Sequence, residues 1–252
     1  MRTAFPVMGT VASIAVSPAD VERLGRARIT DAVIDARTVL ETLDQRFSHY
    51  SVNSDISRWL AGGPVSPEAV ADFSMVLRQC GRLKADSGGV FTIKNRATGT
   101  VDTAGYVKGF AIGRAVESLR RAGLANAVVG VGGDTYSMGR ASASRPWRVA
   151  VAHPQARSAV AAIVEATDLA VATSGTAQRG QHIWNGSRRP VGALLSFTVI
   201  GPGIADADAF ATIGFAMGEP GIAWVASHDG YRSVVIRRDG TVLSDAALLS
   251  AA

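Results

Sequence analysis

The chain has 252 residues, of which 47% are hydrophobic and 19% charged, and its 26 basic and 21 acidic side chains give a net charge of +5. This apolar fraction excludes an intrinsically disordered protein, and the single cysteine, Cys80, excludes a disulfide framework or a cysteine-cluster metal site. The arginines are scattered along the chain, in pairs at most, without interleaved aromatic residues. We therefore expect no nucleic-acid partner, and the positive charge favours anionic small molecules.

The N-terminal half predicts one strand followed by helices. Residues 10–16 (TVASIAV) are β-branched and loosely alternating, which favours a strand over a secretory signal segment. Pro6 and Gly9 also interrupt the apolar stretch that a signal segment would need. Periodic apolar residues, a Ser66-Pro67 start signal and a closing Gly123 then predict helices over three stretches: 19–46, 67–86 and about 108–123.

The C-terminal half predicts mainly strands. Short apolar runs separated by turns indicate strands at 127–131, 147–152, 161–166, 169–174, 195–201 and 231–237, and helices at about 206–217 and 219–228. Because helices and strands come in blocks, we expect an α+β fold, and without a linker or repeat we expect a single domain over residues 1–252. The longest other apolar run, 191–205, is interrupted by polar residues and glycines, so we expect no membrane span. Because no export signal or lipid-attachment cysteine is seen, we expect a cytoplasmic protein, with an extracytoplasmic location as the alternative.

Two glycine-containing segments are candidates for an anion site. VDTAGYVKGFAIGRA at 101–115 combines Asp102, a glycine turn and Lys108 at the start of a predicted helix, which suits an anionic or hydroxyl-rich ligand. The alternative is a turn with a surface lysine. GVGGD at 130–134 lacks the GxGxxG spacing and no helical pattern follows it, so it favours a tight turn over a dinucleotide-binding fingerprint.

Asp208 and Thr212 are candidates for a metal site. Four residues apart in a predicted helix, they share one face and offer two hard oxygen donors of the kind that Mg²⁺ takes. Alternatively, Asp206 or Asp208 caps the helix and Thr212 is a packed residue.

His182 is a candidate general base, since histidine is the side chain that most often takes a proton from a hydroxyl nucleophile. A structural histidine is the alternative interpretation. His49, His153 and His228 have no partner at ligand spacing, so a zinc site is not expected.

Taken in chain order, these segments resemble the ApbE family of FAD:protein FMN transferases. The resemblance covers nearly the whole chain and rests on eight pieces: Met8-Gly9-Thr10, FSHYSVNSDISR at 47–58, GGVF at 88–91, the segment 101–111, the strand and GGD at 128–134, PWRV at 146–149, ATSG at 172–175 followed by His182-Ile183, and ADAFAT at 207–212.

The resemblance implies one compact α+β domain related to the T-fold, with FAD in a pocket between its two halves. It implies that FAD contacts Met8, Tyr50, Val90, Phe91, Thr92, Asp102, Lys108 and Ile183. It also implies a Mg²⁺ ion bound by Asp208, Thr212 and the backbone carbonyl of Gly105.

The implied reaction joins FMN to a partner protein. His182 would take the proton of a threonine hydroxyl on the acceptor protein, whose oxygen attacks the FMN-side phosphorus of FAD and releases AMP. The sequence departs from the family pattern in the loop at 184–189, at Thr92 and at Gly113. Two alternatives therefore stay open: an FAD pyrophosphatase giving FMN and AMP, and a non-catalytic FAD-binding or flavin carrier protein.

Overall fold

A computed structural model describes residues 1–94, 99–175, 194–244 and 249–250, except for the side chains of residues 157, 158, 249 and 250. Within these residues the chain forms two antiparallel β-sheets and seven helices, which is the α+β architecture that the block pattern of the sequence predicts. His182 and Ile183, two of the predicted site residues, lie outside the described residues.

The larger sheet contains eight strands, each antiparallel to its neighbours. In spatial order they are β1 (Arg2–Val7), β2 (Thr10–Val16), β3 (Ala127–Val131), β4 (Asp134–Met138), β7 (Leu169–Gly175), β8 (Leu194–Gly201), β9 (Arg232–Arg237) and β10 (Val242–Ser244). The smaller sheet contains β5 (Trp147–His153), β6 (Ala156–Ala166) and β11 (Leu249–Ser250), with β6 in the middle.

Two tight turns each connect a predicted strand to one that the sequence did not predict. Met8-Gly9 joins β1 to β2 and Gly132-Gly133 joins β3 to β4, and all four residues have positive φ, which matches the right-handed twist of a hairpin. The first strand, β1, escaped prediction because Pro6 interrupts its pattern, a residue that an edge strand tolerates. The second, β4, escaped because its sequence, DTYSM, is mostly polar although largely buried.

Helices cover one face of the larger sheet. They are α1 (Pro18–Leu24), α2 (Arg26–Phe47), α3 (Asp55–Leu60), α4 (Pro67–Asp86), α5 (Ala104–Arg121), α6 (Ile204–Met217) and α7 (Pro220–Ala226). The predicted helix 67–86 is confirmed, with Ser66 Oγ accepting the N–H of Ala69 at its start. Among the described residues, no helix is long and apolar enough to cross a membrane.

Two helix predictions need correction. The single helix predicted over 19–46 is two helices, because the backbone at Gly25 has a φ of 81° and cannot continue a right-handed helix. The helix predicted from Lys108 begins four residues earlier, at Ala104, where Tyr106 and Val107 already face the core. Helix α3 has no counterpart in the prediction, since its six residues are too few to show a period.

The central strands are buried on both faces. Along β7, β8 and β9, alternate side chains join two separate apolar clusters: Ala170, Val199 and Val235 pack with the helices, whereas Val171, Ile200 and Val234 pack with the smaller sheet. This alternation places the larger sheet between a helical layer and the smaller sheet. It also explains why β8 is a nearly continuous apolar run in the sequence.

Candidate active site

The candidate site is built where helix α5 crosses helix α6. At the crossing point a Cβ on Gly109 would lie 2.6 Å from the carbonyl oxygen of Ile204 and 2.9 Å from Asp208 Cβ, so only glycine allows this approach. The N–H of Gly109 donates to Asp208 Oδ2 at 2.8 Å. In a regular helix the same N–H would donate to the carbonyl of Gly105. The N–H of Gly109 is therefore a neighbour of two of the predicted metal ligands, Asp208 and Gly105.

Lys108 lies between two buried carboxylates. Its Nζ is 2.5 Å from Asp134 Oδ2 and 3.5 Å from Asp208 Oδ1. Burial lowers the pKa of the Lys108 ammonium, but the carboxylates of Asp208 and Asp134 outweigh this effect and keep the pKa above its ordinary value. The alternative of a free surface lysine is therefore wrong: the side chain is 26% exposed, and its ammonium pairs with two buried carboxylates.

Asp208 is the most deeply buried of the predicted ligands. Burial raises the pKa of its carboxyl well above the usual value, Lys108 opposes this shift, and the Asp134 carboxylate adds to it.

Neither Asp206 nor Asp208 is the N-cap of α6, because the helix begins at Ile204 with Gly203 as its N-cap. The capping alternative for this pair is therefore wrong as well.

Asp134 is a member of the site that the sequence analysis missed. It is the first residue of β4, with 0% of its surface exposed, and its Oδ1 accepts the N–H of Thr173 in β7 at 2.9 Å. The sequence contained one signal, an acidic residue directly after Gly132-Gly133 at the start of a buried strand. That signal is weak, because aspartate is equally common as a turn residue.

Thr212 lies one helical turn after Asp208 and faces the sheet. Its Oγ1 is 3.1 Å from Ser174 Oγ, near the end of β7. The next hydroxyl along β7, Thr173 Oγ1, is 2.9 Å from Thr198 Oγ1. A hydroxyl that binds a metal through its lone pair must give its own proton to another acceptor, and Ser174 Oγ lies within reach for Thr212.

Gly105 and Phe91 complete this side of the site. A Cβ on Gly105 would lie 3.4 Å from the Phe91 ring and 3.9 Å from Thr212 Cγ2, so the glycine brings both residues close to the first turn of α5. Phe91 is buried, and its N–H donates to Ser87 Oγ at 3.0 Å, just beyond α4. Its neighbours Val90 and Thr92 are partly exposed, as residues that contact a ligand from a turn would be.

The donor set fits magnesium. Asp208 offers a carboxylate, Thr212 a hydroxyl and Gly105 a carbonyl, all hard oxygen atoms of the type that Mg²⁺ prefers. Within the described part of the chain, no three His, Cys, Asp or Glu side chains form a metal-binding group. Mg²⁺ commonly takes one or two protein carboxylates and fills its remaining positions with water and phosphate oxygens.

Asp102 lies just before α5, and its carboxylate accepts a hydrogen bond from the backbone there. Its Oδ1 accepts the N–H of Ala104 at 2.9 Å, and its own N–H donates to the carbonyl of Ile93 at 2.6 Å. The residue is exposed and its carboxylate lies near enough to His49 to raise the pKa of that ring, against the larger lowering effect of burial. Its predicted contact with FAD stays a prediction.

Met8 and Tyr50 lie near a second feature, an open cavity of about 350 Å³. It is lined by Asp44, Gln45, Ser48, Ser51, Asn53 and Ser54, at the end of α2 and the loop after it. Asp44 Oδ2 accepts the N–H of Met8 at 2.8 Å, which ties the β1–β2 turn to this cavity. Tyr50 is 98% exposed and so contributes almost no packing to the folded protein.

Comparison with known proteins gives the family. The model of the ApbE family matches residues 92–236, which is more than half of the chain. A protein of Rhodobacter capsulatus named FAD:protein FMN transferase is 32% identical over 154 residues, covering 57% of this chain and 29% of that protein. A protein of the same name from Salmonella typhimurium is 30% identical over 152 residues, covering 56% of this chain and 43% of that protein. Each match thus spans less than half of the relative's length.

Solved structures give the same fold. The flavin transferase ApbE from Vibrio cholerae superimposes with a TM-score of 0.78 at 22% identity, covering 98% of this chain and 97% of that chain. The ApbE protein from Thermotoga maritima superimposes with a TM-score of 0.79 at 20% identity, covering 97% and 96%. The predicted α+β fold of the ApbE type is confirmed, and the extent of the family match makes this chain a member of the ApbE family.

Proposed function

We propose that this protein is a Mg²⁺-dependent FAD:protein FMN transferase, which moves FMN from FAD to a threonine hydroxyl of an acceptor protein and releases AMP. The observation that carries the proposal is the position of Asp208 and Thr212 on one face of α6, opposite Gly105 and beside Lys108. The family membership and the names of the relatives support the same chemistry.

Asp208, Thr212 and the Gly105 carbonyl would hold the metal ion. When bound there, Mg²⁺ would neutralise the pyrophosphate and stabilise the charge that develops as its P–O bond breaks. Lys108 contributes a positive charge at the same place, and the N-terminal end of the α5 dipole adds a partial positive charge. Together these groups would orient the anionic part of FAD without any movement of the helices.

Other predicted residues would bind the rest of FAD. Phe91 and its partly exposed neighbours Val90 and Thr92 lie next to Gly105 and thus close to the metal site. Met8, Tyr50 and Asp102 would contact FAD from the β1–β2 turn, the loop after α2 and the start of α5. Ile183 would contact it from the segment outside the described residues.

His182 would act as the general base. It takes the proton from the acceptor threonine, the threonine oxygen forms a bond to the FMN-side phosphorus, and the bond from that phosphorus to the bridging oxygen breaks. AMP leaves with the bridging oxygen and its electron pair. The FMN moiety then stays joined to the acceptor by a phosphoester.

The test is incubation of the full chain with FAD and MgCl₂, with and without a threonine-bearing acceptor fragment, followed by mass spectrometry. A fragment heavier by one FMN moiety, together with AMP, is the expected result. FMN and AMP formed equally well without the fragment would instead identify a pyrophosphatase, and intact, bound FAD would identify a flavin carrier.

Two variants connect the product to the site. Asp208→Ala should remove most Mg²⁺-dependent AMP release, because it deletes the one carboxylate among the three predicted ligands. His182→Ala should slow FMN transfer, and AMP release that continues undiminished in this variant contradicts the role of His182 as base.

A further inference from the structure

Asp134 has a position that the proposed reaction leaves without a role. It is fully buried, and it comes from the sheet rather than from α5 or α6. The two-glycine turn before it fixes its place, since Gly132 and Gly133 both have positive φ and Val131 pairs with Asp134 across the turn. The backbone of this turn therefore fixes the position from which the Asp134 side chain extends.

Both oxygens of Asp134 are in use. Oδ1 accepts the N–H of Thr173 from the neighbouring strand, and Oδ2 forms an ion pair with the Lys108 ammonium at 2.5 Å but has no hydrogen-bond partner within the described residues. The same ammonium is 1 Å farther from Asp208, at 3.5 Å. The ammonium is therefore closer to the residue from the sheet than to the predicted metal ligand, with which it also forms an ion pair.

This difference matters because an ammonium and a metal ion compete for one carboxylate. A lysine paired fully with Asp208 would occupy the oxygen that a cation needs and would repel the cation itself. With two buried carboxylates and one ammonium, one negative charge is left to attract a divalent ion. When Lys108 is paired with Asp134, its ammonium can still bind the phosphates of FAD, and the carboxylate of Asp208 can still bind a metal ion.

We propose that Asp134 is a positioning residue that holds the Lys108 ammonium away from Asp208 and so keeps Asp208 available to a divalent cation. The inference rests on the metal site of the proposed function. It adds a residue from β4 to a site otherwise built from α5 and α6, and it assigns that residue a task that does not involve contact with the metal or with FAD.

The test measures Mn²⁺ binding to the full chain without FAD, by loss of the electron paramagnetic resonance signal of free Mn²⁺. Asp134→Asn keeps an oxygen for the Thr173 N–H but removes the charge that holds Lys108. We expect Mn²⁺ binding to weaken by about 10- to 100-fold, the range found for residues that support metal ligands indirectly. Asp168→Asn, which removes the same charge at an exposed position, is the matched control and should bind like wild type.

The same substitution in a Lys108→Met protein shows whether the loss of Mn²⁺ affinity acts through Lys108. In Lys108→Met there is no ammonium to hold, so adding Asp134→Asn should change Mn²⁺ affinity by less than about threefold. An equally large loss in both backgrounds would mean that Asp134 attracts the ion directly or supports the fold, and would overturn the inference. Lys108→Met alone should bind Mn²⁺ more tightly than wild type, and weaker binding would also overturn it; this arm holds even if Asp134→Asn fails to fold.

Failure of the metal site itself gives a different result. If wild type binds no Mn²⁺ and Asp208→Ala behaves the same way, both the metal site and the role of Asp134 are wrong. If wild type binds Mn²⁺, Asp208→Ala does not, and Asp134→Asn equals wild type, the metal site stands and the inference about Asp134 alone is wrong.

Discussion

His49 Nε2 accepts the backbone N–H of Thr103 at 3.1 Å, which joins the segment after α2 to the residue that precedes α5. Because Nε2 is the acceptor, the ring must be neutral with its proton on Nδ1. Burial lowers the pKa of His49, and the charge of Asp102 only partly opposes this. The helix that carries Lys108 and Gly105 is thus fastened at its start by a histidine that must stay uncharged.

This contact predicts a loss of stability in mild acid. The pKa of His49 is lower in the folded than in the unfolded chain, so below the unfolded value of about 6.5 the unfolded state binds more protons. The contribution of His49 is fully present above that pH and is lost as the pH falls toward the folded pKa. The free energy of unfolding should fall as the pH drops below about 6.5, and the loss should amount to about 1 kcal/mol, the value of the hydrogen bond that protonation of Nε2 removes.

His49→Gln provides the comparison for this prediction. Glutamine can accept the N–H of Thr103 without titrating, so its urea unfolding should show a smaller pH dependence than wild type. Contributions from other titrating groups are common to both proteins and cancel in the difference. Identical pH profiles for the two proteins would show that His49 does not carry the effect.

The crossing of α5 and α6 makes a second prediction. Gly109→Ala places a Cβ 2.6 to 2.9 Å from three atoms of α6, two of them backbone atoms, so the helices must separate. We expect the free energy of unfolding to fall by about 1 to 3 kcal/mol, with a parallel loss of Mg²⁺ binding because Asp208 moves with α6. Urea unfolding and isothermal titration with MgCl₂ measure the two effects.

Gly113→Ala is the matched control on the same helix. Its Cβ would lie 3.6 Å from Ile204 Cγ2, an ordinary contact, and alanine favours a helix over glycine by about 0.5 to 1 kcal/mol. This variant should therefore be slightly more stable than wild type. A destabilisation as large as that of Gly109→Ala would mean that the close approach at Gly109 is not the cause.

Features of the fold with local signals could be predicted from the sequence. The Ser66-Pro67 start of α4 and the apolar run of β8 are such signals, because capping and burial act within a few residues. The break at Gly25 was missed because glycine inside a periodic pattern is often tolerated, and only the packing of α1 and α2 shows that the chain turns there.

The candidate site also contains residues that could be predicted from the sequence and residues that could not. Asp208 and Thr212 could be predicted as a pair because a single helix sets their spacing. The meeting of Lys108 with Asp208 and Asp134 could not, since it depends on a helix crossing and on the order of strands in the sheet. Distant residues of this kind meet through tertiary packing, which leaves no periodic trace in the sequence.

Met8 makes a third prediction, in which stability and binding change in opposite directions. Its φ of 52° is unfavourable for a methionine, whereas asparagine accepts this conformation and is common in such two-residue turns. Met8→Asn should raise the free energy of unfolding by less than about 1 kcal/mol, because the strain that it removes is partly offset by the lost packing of the partly buried Met8 side chain on the core. If Met8 contacts FAD as proposed, the same variant should bind FAD more weakly in a fluorescence titration.

Gly9→Ala separates backbone strain from contact in this turn. Nothing lies within 4 Å of a Cβ at Gly9, so the positive φ of 67° is the one cost of the substitution. We expect a loss of about 1 kcal/mol in the free energy of unfolding. A Met8→Asn protein that is no more stable than wild type would show that the strain at Met8 is no larger than the packing that its side chain contributes.

Tyr50 makes the last prediction, because its exposure separates binding from folding. With 98% of its surface exposed, Tyr50→Ala should change the free energy of unfolding by less than about 0.5 kcal/mol. If its ring packs on FAD as proposed, the same variant should weaken FAD binding several-fold, and Tyr50→Phe should keep most of the affinity because it keeps the ring. Val52→Ala, at a neighbouring position that is 83% exposed, should leave FAD affinity unchanged. Equal affinities for wild type and Tyr50→Ala would remove Tyr50 from the FAD site.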